Sequence, residues 1–218
     1  MKKVWGIILV LGFAVGANAG IILTGVLDGD LSGGTPKVVE LYVDGTEDLA
    51  NYKFAYQQNA GTSWSFSSTL SGTYTDEFVY LVDTDNDDEF ASCFGSSGDF
   101  ANVLIVASIA HNGDDRVGIA TSSDVLVDYY GAAGVDGSGQ SWEYTDGFAY
   151  RDDGTGPDGT FAESNWDISL GGVDGLDAAG HGATVPFGTY AIPEPMTLSF
   201  IALFGGGLLF VRRLFSMG

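Results

Sequence analysis

A chain of 218 residues with 29 Asp and Glu against 8 Lys and Arg carries a formal charge of −21. That balance leaves no cationic surface for nucleic acid, because phosphate binding runs on clustered Lys and Arg. Aromatic residues make up 13% of the chain, too many for the disorder that acidity otherwise favours, and the single cysteine, Cys93, excludes an internal disulfide.

The amino terminus has Lys2 and Lys3, an apolar run from Val4 to Val15, then Ala17-Asn18-Ala19. This is the order of a secretory signal peptide over residues 1–19, with Ala17 and Ala19 as the small residues at the cleavage site and Gly20 as the new first residue. The apolar run is too short to span a ~30 Å hydrocarbon core, which argues against an uncleaved anchor.

After Gly20, short runs rich in Val, Ile, Tyr and Phe alternate with Gly, Asp, Ser and Thr clusters. They are Ile21 to Leu27, Lys37 to Val43, Tyr52 to Tyr56, Glu77 to Val82, Asn102 to Ala107, Arg116 to Ala120, Val125 to Tyr130 and Trp142 to Tyr150. Such spacing predicts an all-β, antiparallel, immunoglobulin-like sandwich over residues 20–165. In Lys37 to Val43, alternation puts Val39, Leu41 and Val43 inward and Val38, Glu40 and Tyr42 on the other side, a half-buried strand. No window between Gly20 and Ile192 holds a helical period, and the Gly- and Asp-rich residues 166–192 read as a linker.

Chemistry is densest at Asp83-Thr84-Asp85-Asn86-Asp87-Asp88-Glu89. Alternate carboxylates in a loop converge on a hard cation, so Asp83, Asp85, Asp87 and Glu89 form a candidate calcium site. The EF-hand pattern fails, with Asp88 where Gly is needed and Phe94 where the bidentate Glu belongs, and a solvated acidic turn is the competing reading. Asn112-Gly113-Asp114-Asp115 reads as a hairpin connection, Arg116 as an ion-pair partner of an Asp such as Asp128, and the stretch Arg151 to Gly159 as a loop that also offers oxygens to calcium.

Enzyme readings lack their parts. His111 and His181 are far apart, no serine sits in a G-x-S-x-G elbow, and nothing in the neighbourhood of Cys93 would activate a thiol. The expectation is therefore a chain that is not an enzyme. Trp142 and Tyr144, with Trp64 and Trp166, are candidates for stacking on sugars, against the alternative that they fill the core.

The carboxyl end has Pro193-Glu194-Pro195, an uncharged run over 196–211, and Arg212-Arg213. The prolines stop any incoming helix. Sixteen residues then reach only ~24 Å, a short transmembrane helix, and the two cations place the extreme terminus on the cytoplasmic side. Of the eight basic residues four lie in the two ends, leaving Lys37, Lys53, Arg116 and Arg151 among twenty-eight carboxylates in between.

This tail resembles the PEP-CTERM sorting signal, carried by Pro193, Glu194, Pro195, Arg212 and Arg213 over residues 193–218. The resemblance implies passage through the secretion machinery, capture in the cell membrane and handling by an exosortase-type transpeptidase of bacteria that make extracellular polysaccharide. A second resemblance covers the body: Val39-Glu40-Leu41-Tyr42, Asp48 to Phe54, Asn112 to Ile119 and Val125 to Gly131 are similar to the lamin-tail-like immunoglobulin-type domains of secreted bacterial proteins, which implies an accessory or adhesive module. The expectation is an exported structural or adhesive protein of the cell envelope or extracellular matrix. A carbohydrate-binding module of the exopolysaccharide and a secreted hydrolase are the alternatives.

Overall fold

The computed structural model describes residues 20–84, 86–107 and 109–192. The predicted signal residues Ala17 and Ala19, the tail residues Pro193, Glu194, Pro195, Arg212 and Arg213, the segment 196–211 and Asp85 lie outside them. Among the described residues no helix is long and apolar enough to cross a membrane.

The elements in chain order are β1 (Gly20–Leu31), β2 (Thr35–Asp48), β3 (Tyr52–Gln57), β4 (Ser65–Thr69), β5 (Thr73–Val82), α1 (Asp87–Phe94), β6 (Val103–Ile105), β7 (Arg116–Thr121), β8 (Leu126–Tyr130), β9 (Phe148–Arg151), β10 (Trp166–Ser169) and α2 (Ala178–Thr184). They form a β-sandwich of a six-stranded sheet, β10-β9-β1-β2-β5-β6, and a four-stranded sheet, β4-β3-β7-β8. Neighbouring strands run antiparallel except β5 and β6, which are parallel.

The six-stranded sheet is apolar on both faces. Ile21, Leu23, Val26, Val39, Leu41 and Val43 pack inward against Phe54, Ile119 and Tyr130 of the four-stranded sheet. A register shift between Leu23 and Gly25 re-phases β1, so that Leu23 and Val26 share this face. On the outer face Ile22, Leu27, Val38, Tyr80, Phe148 and Tyr150 are covered by Phe90 of α1 and by Val185, Phe187 and Tyr190, which follow α2. Each such side chain removed from water stabilises by ~1.5–3 kcal/mol. Gly25 allows Phe187 to approach β1 closely: a Cβ there would stand 2.6 Å from the ring.

Several expectations are corrected by this covering layer. β2 is not half-buried, because Val38 and Glu40 are as enclosed as Val39 and Leu41. Residues 166–192 are no linker: β10 pairs with β9 and the rest closes the outer core. Two short helices exist where no helical period is legible. α1 buries Phe90, and α2 is capped by Asp177, whose side chain accepts from the Gly180 N–H at 2.9 Å. At seven and eight residues these helices are marginal alone and depend on packing. Finally, the expected strand Trp142 to Tyr150 is a strand only from Phe148, while β4 and β10 were not anticipated.

Candidate functional site

Two buried polar centres organise the body. The first lies between the sheets, where β1, β8 and β9 meet. The Arg151 Nη2 donates to both Asp128 oxygens at 2.8 Å, its Nη1 to Asp158 Oδ2 at 3.0 Å and its Nε to the Leu23 carbonyl at 2.6 Å. The Asp128 carboxylate also accepts N–H groups of Leu23, Tyr129 and Asp158 at 2.9, 3.0 and 3.1 Å. Trp166 offers its ring face 4.5 Å from the Arg151 guanidinium. Burial pulls the Asp128 carboxyl upward and the Arg151 charge pulls it back down. This arrangement corrects the expected pairing of Asp128: Arg116 instead bonds Gln57 and, at 3.1 Å, the Gly131 carbonyl, with its guanidinium over Trp64 and Tyr129 at 4.5 and 5.0 Å. It also accounts for the loop Arg151 to Gly159, which closes around the guanidinium of its own first residue.

The second centre lies on the outer face, around Glu40. Its Oε1 accepts from Thr24 Oγ1 at 2.7 Å and its Oε2 from the Gly188 N–H at 2.6 Å. The Tyr150 hydroxyl oxygen accepts the next two amides, Thr189 at 3.1 Å and Tyr190 at 2.8 Å. The Tyr80 hydroxyl is buried beside Glu40. Burial pushes the Glu40 carboxyl up to about 7, against the hydrogen bonds that lower it, and pushes both tyrosines above their ordinary range.

The acidic run is divided by structure. Asp83 and Asn86 form a turn fastened to β2, since Asn86 Oδ1 accepts the Lys37 N–H at 3.1 Å. Asp87, Asp88 and Glu89 then occupy the first turn of α1 rather than a loop, where their charge complements the helix dipole. Among the described residues no three His, Cys, Asp or Glu side chains group as a metal site. At the hairpin after His111, the Asn112 amide in its satisfied orientation donates to Asp114 Oδ1 and Asp115 Oδ2 at 2.5 and 2.7 Å. Asp115 Oδ1 holds the Asn59 N–H at 2.7 Å.

Trp142 and Tyr144 are 3% and 0% exposed, so neither ring offers a face to a sugar. Both stand edge-on to Tyr130, with centroids 6.0 and 5.3 Å away. Cys93 is half-buried, and burial, then the Glu89 charge, pushes its thiol up to about 11. His111 is enclosed, donates Nε2–H to the Leu27 carbonyl at 2.9 Å, and is driven down to about 3 by burial and the Lys37 charge. His181 lies in α2, with Nδ1–H on the Asp177 carbonyl and Nε2 accepting the Asp30 N–H. A groove of about 380 Å³ opens between the edges of β4 and β6, lined by residues 67–71 and 103–107, none of them titratable.

No protein-family model matches this chain, and no curated protein matches its sequence. Sequence reading missed both buried centres. The signal for Arg151 was present, a lone cation closing the aromatic strand Phe148-Ala149-Tyr150 in a chain with so few. Glu40 gave none, because its alternation pattern is that of a solvent-facing residue.

Proposed function

We propose that this chain is an exported, non-enzymatic structural or adhesive protein, delivered by the signal peptide over 1–19 and sorted through its PEP-CTERM-like tail by an exosortase-type transpeptidase. One observation carries the reading. The body that packs as one unit is bounded at Ala19 and Pro193, the two points at which the terminal signals end and begin. β1 starts at Gly20, paired with Asp44, and is thus a strand from the first residue that cleavage would leave. An immunoglobulin-type, lamin-tail-like ancestry is the finer form of the same proposal, and the sandwich supports it as far as architecture goes.

Mass spectrometry of the protein recovered from cells and medium tests this. The reading expects an amino terminus at Gly20 and a carboxyl end trimmed near Pro193 or held in membranes. An intact 218-residue product, soluble in the cytoplasm with both apolar ends attached, overturns it. Calcium at Asp83, Asp85, Asp87 and Glu89 is a separable clause: a saturable calorimetric heat supports it, and a flat trace removes it.

Carbohydrate binding is the second reading, carried now by a different residue. Trp64 is half-exposed and held by the Arg116 guanidinium and, edge-on at 5.9 Å, by Tyr129. Retention on an immobilised polysaccharide that Trp64→Ala abolishes without unfolding favours this reading, and unchanged retention excludes Trp64.

A further inference from the structure

The turn at residues 188–190 is held by side chains of the sheet beneath it. Three successive backbone amides, Gly188, Thr189 and Tyr190, are all satisfied by two side chains of the sheet beneath, Glu40 of β2 and Tyr150 of β9. These contacts join parts of the chain 148 and about 40 residues apart. The segment also carries Val185, Phe187 and Tyr190 into the outer core, and it is tied to the loop after β9 by Tyr190 Oη–H on the Thr155 carbonyl, the Ala191 N–H on Asp153 Oδ1 and the Gly154 N–H on the Ala191 carbonyl. Among the described residues no other side chain of the sheet accepts these amides of residues 188–190.

We propose that Glu40 and Tyr150 form a proton-dependent latch, which holds residues 185–192 against the six-stranded sheet while Glu40 is protonated and loosens them when it ionises.

Geometry supports this from every side of the carboxyl. β1 presents the Thr24 hydroxyl, β5 the Tyr80 hydroxyl, β9 the Tyr150 hydroxyl, and the latched segment the Gly188 N–H. Asp99 acts on Tyr80 and is of the same sign, and Tyr190 of the latched segment feels Arg151 and the carboxylates Asp128, Asp153 and Asp44. No Lys or Arg stands among the groups that face Glu40, so an ionised Glu40 has hydrogen bonds but no counter-charge, unlike Asp128 with Arg151. A neutral Glu40 keeps an acceptor for Gly188 and brings an O–H among hydroxyl oxygens able to accept it. Release exposes the carboxyl to water, where ionisation costs little.

The linkage follows in sign. The closed state holds the proton up to about pH 7, whereas a released, solvated Glu40 loses it near the usual 4.5. The closed state therefore binds more protons across that window, and rising pH favours opening. Full closure is expected below about 4.5, with the advantage lost by the time pH has passed through about 7. The latch does not depend on the export reading.

Amide hydrogen exchange on the full chain, corrected for intrinsic rates, tests the latch between pH 5 and pH 8.5. Protection of Gly188, Thr189 and Tyr190 should fall by at least about tenfold across the window, the effect of one unit of differential pKa, while Phe54 and Ile119 in the other sheet keep theirs. Glu40→Gln should abolish the pH step. Tyr150→Phe, which retains the ring, should expose Thr189 and Tyr190 while leaving the step at Gly188 intact. A wild-type profile flat with pH, a step that survives Glu40→Gln, or parallel loss at Phe54 and Ile119 would each overturn the proposal.

Discussion

The two faces of the six-stranded sheet bury a carboxylate each and neutralise it by different means. On the inner face Asp128 meets the Arg151 guanidinium and three backbone N–H groups. On the outer face Glu40 is equally enclosed, yet its partners are hydroxyls and one amide. In the first centre a fixed cation, Arg151, opposes the upward pull of burial on the Asp128 carboxyl. In the second, balance comes from a proton, so the centre senses pH. Burial alone does not decide which groups respond to solvent conditions; the identity of the compensating group does.

The largest effect should come from breaking the inner pair. Arg151→Met leaves Asp128 buried and uncompensated, and should cost roughly 3–5 kcal/mol in chemical denaturation. Adding Asp128→Asn should recover part of that loss, since the stranded charge is gone. Equal destabilisation of single and double variants would break the contrast. Trp142→Ala, which opens a void beside Tyr130 in the same core, belongs in a similar range of about 3–5 kcal/mol, whereas Trp64→Ala at the half-exposed rim should cost far less.

The outer centre sharpens the comparison through pH. Because the folded-state Glu40 lies above its ordinary value, its contribution is complete in acid and is lost as pH rises through about 7. Glu40→Gln should therefore gain on the wild type by roughly 3 kcal/mol between pH 4.5 and pH 8, measured by denaturant midpoints at each pH. A constant difference between the two proteins would show that Glu40 keeps one protonation state throughout. The smallest effect is at Cys93, whose thiol should resist alkylation at pH 7 and 8 and react only towards pH 11. Rapid labelling of the folded chain at neutral pH would contradict its placement.

The strands of the inner core were legible because their alternation is local. Val39, Leu41 and Val43 announce an inward face within seven residues. What covers the other side of β2 was not legible, because it arrives from Gly188, 148 residues later. Nothing near Glu40 in sequence marks it as buried. The helices α1 and α2 failed for a related reason: they are too short to carry their own periodicity, and α2 contains two glycines, one of which, Gly182, is packed against the Cys93 backbone. The acidic run Asp83 to Glu89 was correctly located as the densest charge, but whether it is a loop or a helix start depends on Phe90 and Phe94 finding the outer core. Trp142 and Tyr144 were read as open alternatives, surface or core, and their contacts with Tyr130 place both in the core.

Titration of the side-chain carboxyl carbons of Glu40 and Asp128 by NMR tests the contrast most directly. The account predicts a Glu40 signal that moves with a midpoint near 7, accompanied by the amides of Gly188, Thr189 and Tyr190, and an Asp128 signal displaced upward by burial against the Arg151 charge. A Glu40 midpoint in the range of solvated carboxylates, or amides of Gly188, Thr189 and Tyr190 that do not follow the Glu40 signal, would contradict it.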